Sequence, residues 1–169
     1  MNAAPQPHRT RTREMTLADL DRVVAIEAQA YSFPWSHGNF LDSLAAGYLA
    51  EVFLDPRDEV IGYYVAMSGV DEMHLLNITI SPAQQGRGHG RALLDHIVAR
   101  ARGCGALSLW LEVRESNLRA RTLYDRYGFV QVGVRRAYYP AGHGTREDAA
   151  VMSLALTNAG RKGRNDGLD

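Results

Sequence analysis

A short glycine-rich segment, Gln84–Arg91, lies between a run of apolar, β-branched residues and a run with helical spacing. Its glycines fall at 86, 88 and 90, so backbone N–H groups can approach a ligand without Cβ atoms in the way. The first amides of a helix have no intrahelical partners and lie at the positive end of its dipole. The segment therefore predicts a pyrophosphate-binding loop, to which Arg87 and Arg91 add positive charge.

Two common phosphate-binding motifs do not fit this loop. A Walker A loop ends in Gly-Lys-Ser/Thr, and the dinucleotide fingerprint is Gly-x-Gly-x-x-Gly. The loop instead reads Gln85-x-x-Gly88-x-Gly90. On these residues alone, a strand-to-helix turn that binds nothing remains an alternative.

A carboxylate interrupts an apolar segment further along the chain. Glu112 lies within Leu109–Arg114, which has the composition of an interior strand. A carboxylate at such a position is costly unless it has a partner, faces a cleft or takes part in chemistry. Glu112 is therefore a candidate general base, and an ion pair with Arg114 or another neighbour is the alternative.

A tyrosine and an asparagine share one face of the helix predicted next. Asn117 and Tyr124 are seven residues apart, which is nearly two helical turns. Tyr124 could act as an acid or simply pack in the core. Three histidines remain possible bases, with a structural or solvated role as the alternative for each: His74, His89 and His96.

Composition indicates one globular domain. The chain has 169 residues, of which 46% are hydrophobic and 22% are charged. Lys and Arg number 19, as do Asp and Glu, so no overall field favours nucleic acid or a membrane surface. We expect no direct nucleic-acid binding and no membrane span. The sequence leaves the oligomeric state open.

Cysteine and histidine usage excludes several further classes. The single cysteine, Cys104, rules out an intrachain disulfide and is predicted to be a buried structural thiol. Histidines and carboxylates never fall at metal-ligand spacing, so no metal is expected. The N-terminus lacks the apolar stretch of a signal peptide, which favours a cytoplasmic protein.

The elements that must position these residues alternate through a single domain at 9–156. Residues 1–8 and 157–169 are polar and are expected to be flexible tails. Periodicity, capping residues and turn residues predict the order βααβββαβαββ. We predict an α/β fold with a mixed, mostly antiparallel central sheet flanked by helices.

Longer motifs resemble the GNAT superfamily of N-acetyltransferases. Gln85-x-x-Gly88-x-Gly90 is similar to the coenzyme A loop of that family, and Glu112–Phe129 resembles its second conserved block. Other segments resemble the RimI branch: Phe33–Ser36, Asp71–Ile78, Arg135–Pro140 and Gly144–Ala149. The similarity covers 11–156. Thr145 departs from it by lengthening the usual Gly-Arg-Glu-Asp-Ala run, which bears on specificity more than on chemistry.

The resemblance implies a GNAT fold and direct acetyl transfer from acetyl-CoA to an amine. It implies that Glu112 is the base, that Tyr124 protonates the departing thiolate, and that Asn117 binds the pantetheine arm. The edge of one strand would pair with the same arm, at Ile78, Thr79 and Ile80. Backbone amides would hold the pyrophosphate, at Gly86, Arg87, Gly88, His89, Gly90 and Arg91.

The RimI branch acetylates the N-terminal alanine of the eighteenth protein of the small ribosomal subunit, which would make that N-terminus the substrate. The chemistry agrees, because an α-amino group titrates near 7.7–8.0 and its deprotonation at pH 7 costs about 1 kcal/mol. For a lysine side chain the cost is about 4–5 kcal/mol. Acetylation of lysine or a small amine, and a non-catalytic coenzyme A-binding module, are the alternatives.

The residues that would hold the peptide are predicted from their types. Aromatic side chains are expected to wall the groove: Phe33, Trp35, Tyr138 and Tyr139. Ribosomal proteins are generally basic because they neutralise RNA phosphates. We therefore expect at least one of two acidic pairs, Asp71-Glu72 or Glu147-Asp148, to line it. Solvated turn residues are the alternative reading of both pairs.

Overall fold

The computed structural model describes residues 9–156, so both predicted tails lie outside the described residues. Its strands are β1 (Arg11–Glu14), β2 (Leu49–Leu54), β3 (Val60–Ser68), β4 (Glu72–Ile80), β5 (Ser108–Arg114), β6 (Val130–Pro140) and β7 (Arg146–Ala155). Its helices are α1 (Leu20–Ala30), α2 (His37–Ala45), α3 (His89–Gly103) and α4 (Leu118–Tyr127). The predicted order βααβββαβαββ is confirmed.

One seven-stranded sheet has the order β1-β2-β3-β4-β5-β7-β6. All its pairings are antiparallel except that of β4 with β5, as predicted for a mixed sheet. The parallel pairing begins at Glu72 with Ser108 and ends at Leu75 with Leu111. Beyond that last pair the carboxyl ends of β4 and β5 are unpaired with each other, which opens a cleft in the middle of the sheet.

Helices cover both faces of the sheet and create two cores. Leu93, Leu94 and Ile97 of α3 belong to one core, whereas α1 and α2 pack into the other. Adjacent tyrosines of β3 enter opposite cores, because successive strand side chains point to opposite faces. Tyr64 lies in the core under α3, and Tyr63 lies in the core under α1; both are fully buried.

Helix α3 ends in a glycine turn that corrects one prediction. Gly103 is its last residue, and Gly105 follows with a left-handed φ of +80°. Cys104 lies between them and is exposed, so its prediction as a buried thiol is wrong. None of the helices within 9–156 is long and apolar enough to cross a membrane.

Candidate active site

The glycine loop forms an anion-binding cradle at the start of α3. Gly86 and Gly88 have left-handed φ values of +77° and +82°, which a side chain would disfavour. The first loop-to-helix bond runs from Ala92 N–H to Gly88 O at 3.1 Å. Six backbone N–H groups before Ala92 donate to no acceptor among residues 9–156: those of Gly86, Arg87, Gly88, His89, Gly90 and Arg91. Six free amides around a helix N-terminus suit a diphosphate.

This cradle opens into a groove of about 960 Å³, which we call the cofactor groove. All the cradle residues line it except Arg87. Gly90 brings α3 close to α4, because a Cβ atom there would lie 3.2 Å from Leu123 Cδ2. The His89 ring lies edge-on to Phe53, with centroids 5.7 Å apart, so its surroundings are those of a packed side chain.

The end of β4 forms one wall of the cofactor groove. Ser81 N–H donates to Ile61 O of β3 at 2.8 Å, so the alternation of an antiparallel ladder turns the backbone of Thr79 toward β3. The backbones of Ile78 and Ile80 therefore face the cleft. Their carbonyls accept from Tyr31 Oη at 3.1 Å and Gln85 Nε2 at 3.0 Å. The N–H groups of Ile78 and Ile80 are available to donate to a ligand, whereas Thr79 lines the groove with its side chain.

The opposite wall comes from α4. Asn117 is the N-cap of this helix, and its Oδ1 accepts from Ala120 N–H at 3.2 Å. Its Nδ2 donates to no residue within 9–156, and Asn117 lines the cofactor groove. The capping bond thus fixes the side chain and leaves the amide donors available for a linear ligand.

Tyr124 connects the cofactor groove to a second groove of about 350 Å³, which we call the peptide groove. The residue is 6% exposed and lines both grooves. Its hydroxyl has no hydrogen-bond partner among the described residues. Burial, with a smaller effect from Tyr31 and Tyr139, raises the pKa of Tyr124 above its ordinary value. The phenol thus keeps its proton at neutral pH and can give it to a thiolate in the cleft.

Glu112 lies on β5 in the peptide groove, with a side chain only 5% exposed. Its Oε2 is 2.5 Å from His74 Nε2, and the His74 ring stacks on Trp110 at 3.6 Å. Arg135 Nε lies 3.0 Å from Oε1 as an ion pair, without the alignment of a hydrogen bond. The partners of Glu112 are therefore Arg135 and His74 rather than Arg114, and a base role is compatible with them.

An arginine held between aromatic rings forms the rim of the peptide groove. The Arg114 guanidinium lies 5.2 Å from the Phe33 ring centroid and 4.6 Å from that of Tyr139. Glu147 Oε1 accepts from Arg114 Nη1 at 2.8 Å, and this bond is the main reason that the pKa of Glu147 is lowered. Glu147 thus holds Arg114. Phe33, Trp35 and Tyr139 line this groove, and their role as walls for a peptide stays a prediction.

Some predicted substrate residues do not meet in this groove. Glu72 begins β4, six residues before Ile78, which is about 20 Å along a strand. Tyr138 packs edge-on against Tyr139 but lines neither groove. Asp148 Oδ1 accepts from Ala137 N–H at 2.8 Å and so holds an irregular turn of β6.

One histidine considered as a base lies far from the cleft, on the other face of the sheet. His96 Nε2 is 2.6 Å from Glu51 Oε2, beside Tyr64. These contacts agree with the structural role given as its alternative. No group of three or more His, Cys, Asp or Glu side chains among residues 9–156 is arranged to hold a metal ion.

Two residues of the first helical segment line the peptide groove although sequence reasoning passed over them. Glu27 of α1 is 2% exposed, and Tyr31 follows the end of the helix. Glu27 lies on the apolar stripe of α1 with Leu20 and Val23. A carboxylate on an apolar stripe is costly to bury, and this was the feature of the sequence that could have identified Glu27 as a functional residue. Tyr31 lines both grooves. Burial raises its pKa to about 12.

Comparisons with known proteins agree with this geometry. The model of the acetyltransferase (GNAT) family matches residues 20–129. The ribosomal protein bS18-alanine N-acetyltransferase of Haemophilus influenzae is 39% identical over 143 residues, covering 85% of this chain and 97% of that protein. The crystal structure of the Escherichia coli ribosomal-protein-S18-alanine N-acetyltransferase has a TM-score of 0.80 and 35% identity, covering 92% of this chain and 99% of that one. The chain belongs to the acetyltransferase (GNAT) family.

Proposed function

We propose that this protein transfers the acetyl group of acetyl-CoA to the N-terminal amine of a protein, and that ribosomal protein bS18, with its N-terminal alanine, is the substrate. The observation that carries the proposal is the buried Tyr124, which lines a cofactor groove and a carboxylate-bearing peptide groove at once. The Haemophilus influenzae relative and the solved Escherichia coli structure both carry the name of that reaction. The compartment proposed with this substrate is the cytoplasm.

The cofactor groove fits acetyl-CoA in its donor set. The free amides of the cradle match a diphosphate, and the N–H groups of Ile78 and Ile80 match the carbonyls of a pantetheine arm. Asn117 Nδ2 adds a further donor. Bound in this way, acetyl-CoA supplies a thioester, an acyl group already activated for attack. Holding it beside an amine converts a bimolecular reaction into an effectively unimolecular one.

Glu112 and His74 form the proposed proton acceptor. The α-ammonium must lose a proton before its nitrogen can attack, and at pH 7 that step costs about 1 kcal/mol. Glu112 can take the proton directly or through water, with His74 at 2.5 Å and Arg135 at 3.0 Å keeping the carboxylate in place. A positioned base of this kind contributes about 10²–10⁴-fold to a rate.

Tyr124 completes the proton balance. As the amine nitrogen bonds to the carbonyl carbon, the carbon–sulfur bond breaks and leaves a thiolate. The nitrogen loses its second proton to solvent as the amide forms, while the phenolic proton of Tyr124 passes to the sulfur and is restored from solvent, so one proton is released overall for each ammonium group acetylated. Because burial raises the pKa of Tyr124, the phenol is protonated at neutral pH and has a proton available when the thiolate leaves.

A peptide panel tests the proposal. Purified protein is incubated with acetyl-CoA and one of two peptides: the first begins with alanine and has a free N-terminus, and the second has a blocked N-terminus and contains lysine. Mass spectrometry should find one acetyl group on the α-amine of the first peptide and none on the second. Preferential lysine modification would contradict the N-terminal assignment. A protein that binds acetyl-CoA and modifies no peptide would instead be a binding module.

A further inference from the structure

Two carboxylates line the peptide groove, and their charges are balanced differently. Glu112 has Arg135 as its ion-pair partner and His74 as a hydrogen-bond partner. Glu27 has only neutral donors: Tyr63 Oη at 2.5 Å, Trp35 N–H at 3.1 Å and Asn77 Nδ2 at 3.2 Å. None of the ion pairs formed by residues 9–156 involves Glu27. The negative charge left without a cation in this groove is therefore that of Glu27.

The groups around Glu27 all donate hydrogen bonds to its carboxylate. Trp35 N–H and Asn77 Nδ2 can only donate, and Thr79 Oγ1 donating to Asn77 Oδ1 at 2.8 Å fixes the orientation of that amide. Burial and the adjacent Glu27 charge raise the pKa of Tyr63, so its hydroxyl stays protonated and donates as well. Asn77 Nδ2 is shared between Oε1 at 3.3 Å and Oε2 at 3.2 Å, so each oxygen already accepts two contacts, and a ligand is drawn to Glu27 by its unbalanced charge rather than by a free acceptor position.

We propose that Glu27 binds the ammonium form of the incoming peptide N-terminus, before Glu112 accepts its proton. The inference rests on the proposed N-terminal acetyltransferase activity and divides the work between the two carboxylates. An uncompensated charge attracts the cation, whereas a charge held by Arg135 and His74 is kept in place for proton transfer.

A chain of hydrogen bonds links this ammonium site to the wall that holds the acetyl donor. Asn77, which donates to Glu27, accepts from Thr79. Thr79 Oγ1 is 2.9 Å from Tyr31 Oη, which also contacts Ile78 O at 3.1 Å. The position of Glu27 is thereby fixed relative to the β4 edge, so an amine bound to it is held at a defined place beside the thioester.

Binding of two matched peptides tests this role. One peptide begins with alanine, and the other carries a propionyl group instead of the alanine, which removes only the amine. Affinities are measured by calorimetry with coenzyme A present, for the wild type and Glu27→Gln. We expect the wild type to bind the amine peptide more tightly than the propionyl peptide. Glu27→Gln should lower the affinity for the amine peptide by about tenfold, equivalent to about 1.4 kcal/mol, and leave the affinity for the propionyl peptide unchanged.

Glu51→Gln is the matched control. Glu51 accepts from the hydroxyl of Tyr64 on the opposite face of the sheet, as Glu27 does from Tyr63, but it lines neither groove. This variant removes a partly buried carboxylate that also accepts from a tyrosine, and should leave both peptide affinities unchanged. Equal weakening of both peptides in Glu27→Gln would mean that Glu27 only supports the groove, and would overturn the inference.

A second variant keeps the inference testable if Glu27→Gln unfolds. The preference for the amine peptide should persist in Glu112→Gln, because the charge of Glu112 is already balanced by Arg135. Loss of the preference in that variant, or equal binding of both peptides by the wild type, would overturn the ammonium site while acetylation continued. A wild type that acetylates no N-terminus would overturn the proposed function itself.

Discussion

Gly88 offers a clean test of the cofactor cradle, because a methyl group added there meets no protein atom. Its φ is +82°, and a Cβ atom would find nothing within 4 Å. Alanine in this left-handed conformation costs about 1–2 kcal/mol. Restriction of the unfolded chain offsets about 0.4–1 kcal/mol of that cost. The net loss of about 1 kcal/mol should lower the unfolding midpoint by about 2–4 °C for a chain of this size.

Gly88→Ala should affect acetyl-CoA affinity much more than stability. The methyl group would occupy the place of the diphosphate and separate it from at least one amide of the cradle. A hydrogen bond to a charged group contributes about 1.5–3 kcal/mol, and each 1.4 kcal/mol is tenfold in affinity. We therefore expect affinity for acetyl-CoA to fall by about 10- to 100-fold, as measured by calorimetry.

Gly105→Ala separates strain from ligand binding. Gly105 has a φ of +80° and nothing within 4 Å of its would-be Cβ atom, but it follows the C-terminal end of the same helix. Both variants should lose the same few degrees in thermal unfolding, and only Gly88→Ala should lose affinity. Unchanged affinity in a folded Gly88→Ala protein would refute the cradle, and equal losses in both variants would refute the assignment to this end of α3.

Four further outcomes are expected. Glu112→Gln should lower kcat at pH 7 by about hundredfold or more and recover in part near pH 9, where the α-amine is already neutral; wild-type rates at pH 7 would exclude it as the base. Tyr124→Phe should lower kcat with little change in acetyl-CoA affinity, as calorimetry can check. The Arg13 hydrogen bond lowers the pKa of Asp19, so its stabilisation is present above the usual value of 3.8 and disappears as the pH falls through the lower folded value. Asp19→Asn should therefore reduce stability in urea at pH 7 and matter less at pH 3. Glu72→Gln should leave the KM of a basic peptide and its salt dependence unchanged, because Glu72 lies far from the groove.

The order of elements could be predicted because its signals are local. Ser36 caps α2 with its hydroxyl, and the apolar spacing of α1 and α3 produces the two buried helix faces. The glycine positions likewise predicted the loop before α3, where two left-handed φ values are found. Each of these inferences needs only a few consecutive residues.

Pairings between distant elements could not be predicted in the same way. Glu112 meets His74 and Arg135 because β4 lies next to β5 and β6 lies beyond β7, an order that no local pattern encodes. Glu72 was predicted to line the peptide groove because of its charge, but it is the first residue of β4, whereas the groove lies at the other end of that strand. Cys104 illustrates the same limit at short range, because the turn after Gly103 decides its exposure.

The cleft between β4 and β5 divides the sheet into two halves, and a bound co-substrate would add contacts between them. Four residue pairs, from Glu72 with Ser108 to Leu75 with Leu111, join the strands on either side of it. A ligand arm that hydrogen-bonds to the β4 edge links the two halves of the sheet for as long as it is bound. Ligand at 100 times its Kd would add about 2.7 kcal/mol to the free energy of unfolding. Each release of product therefore lowers the stability of the domain until the next co-substrate binds.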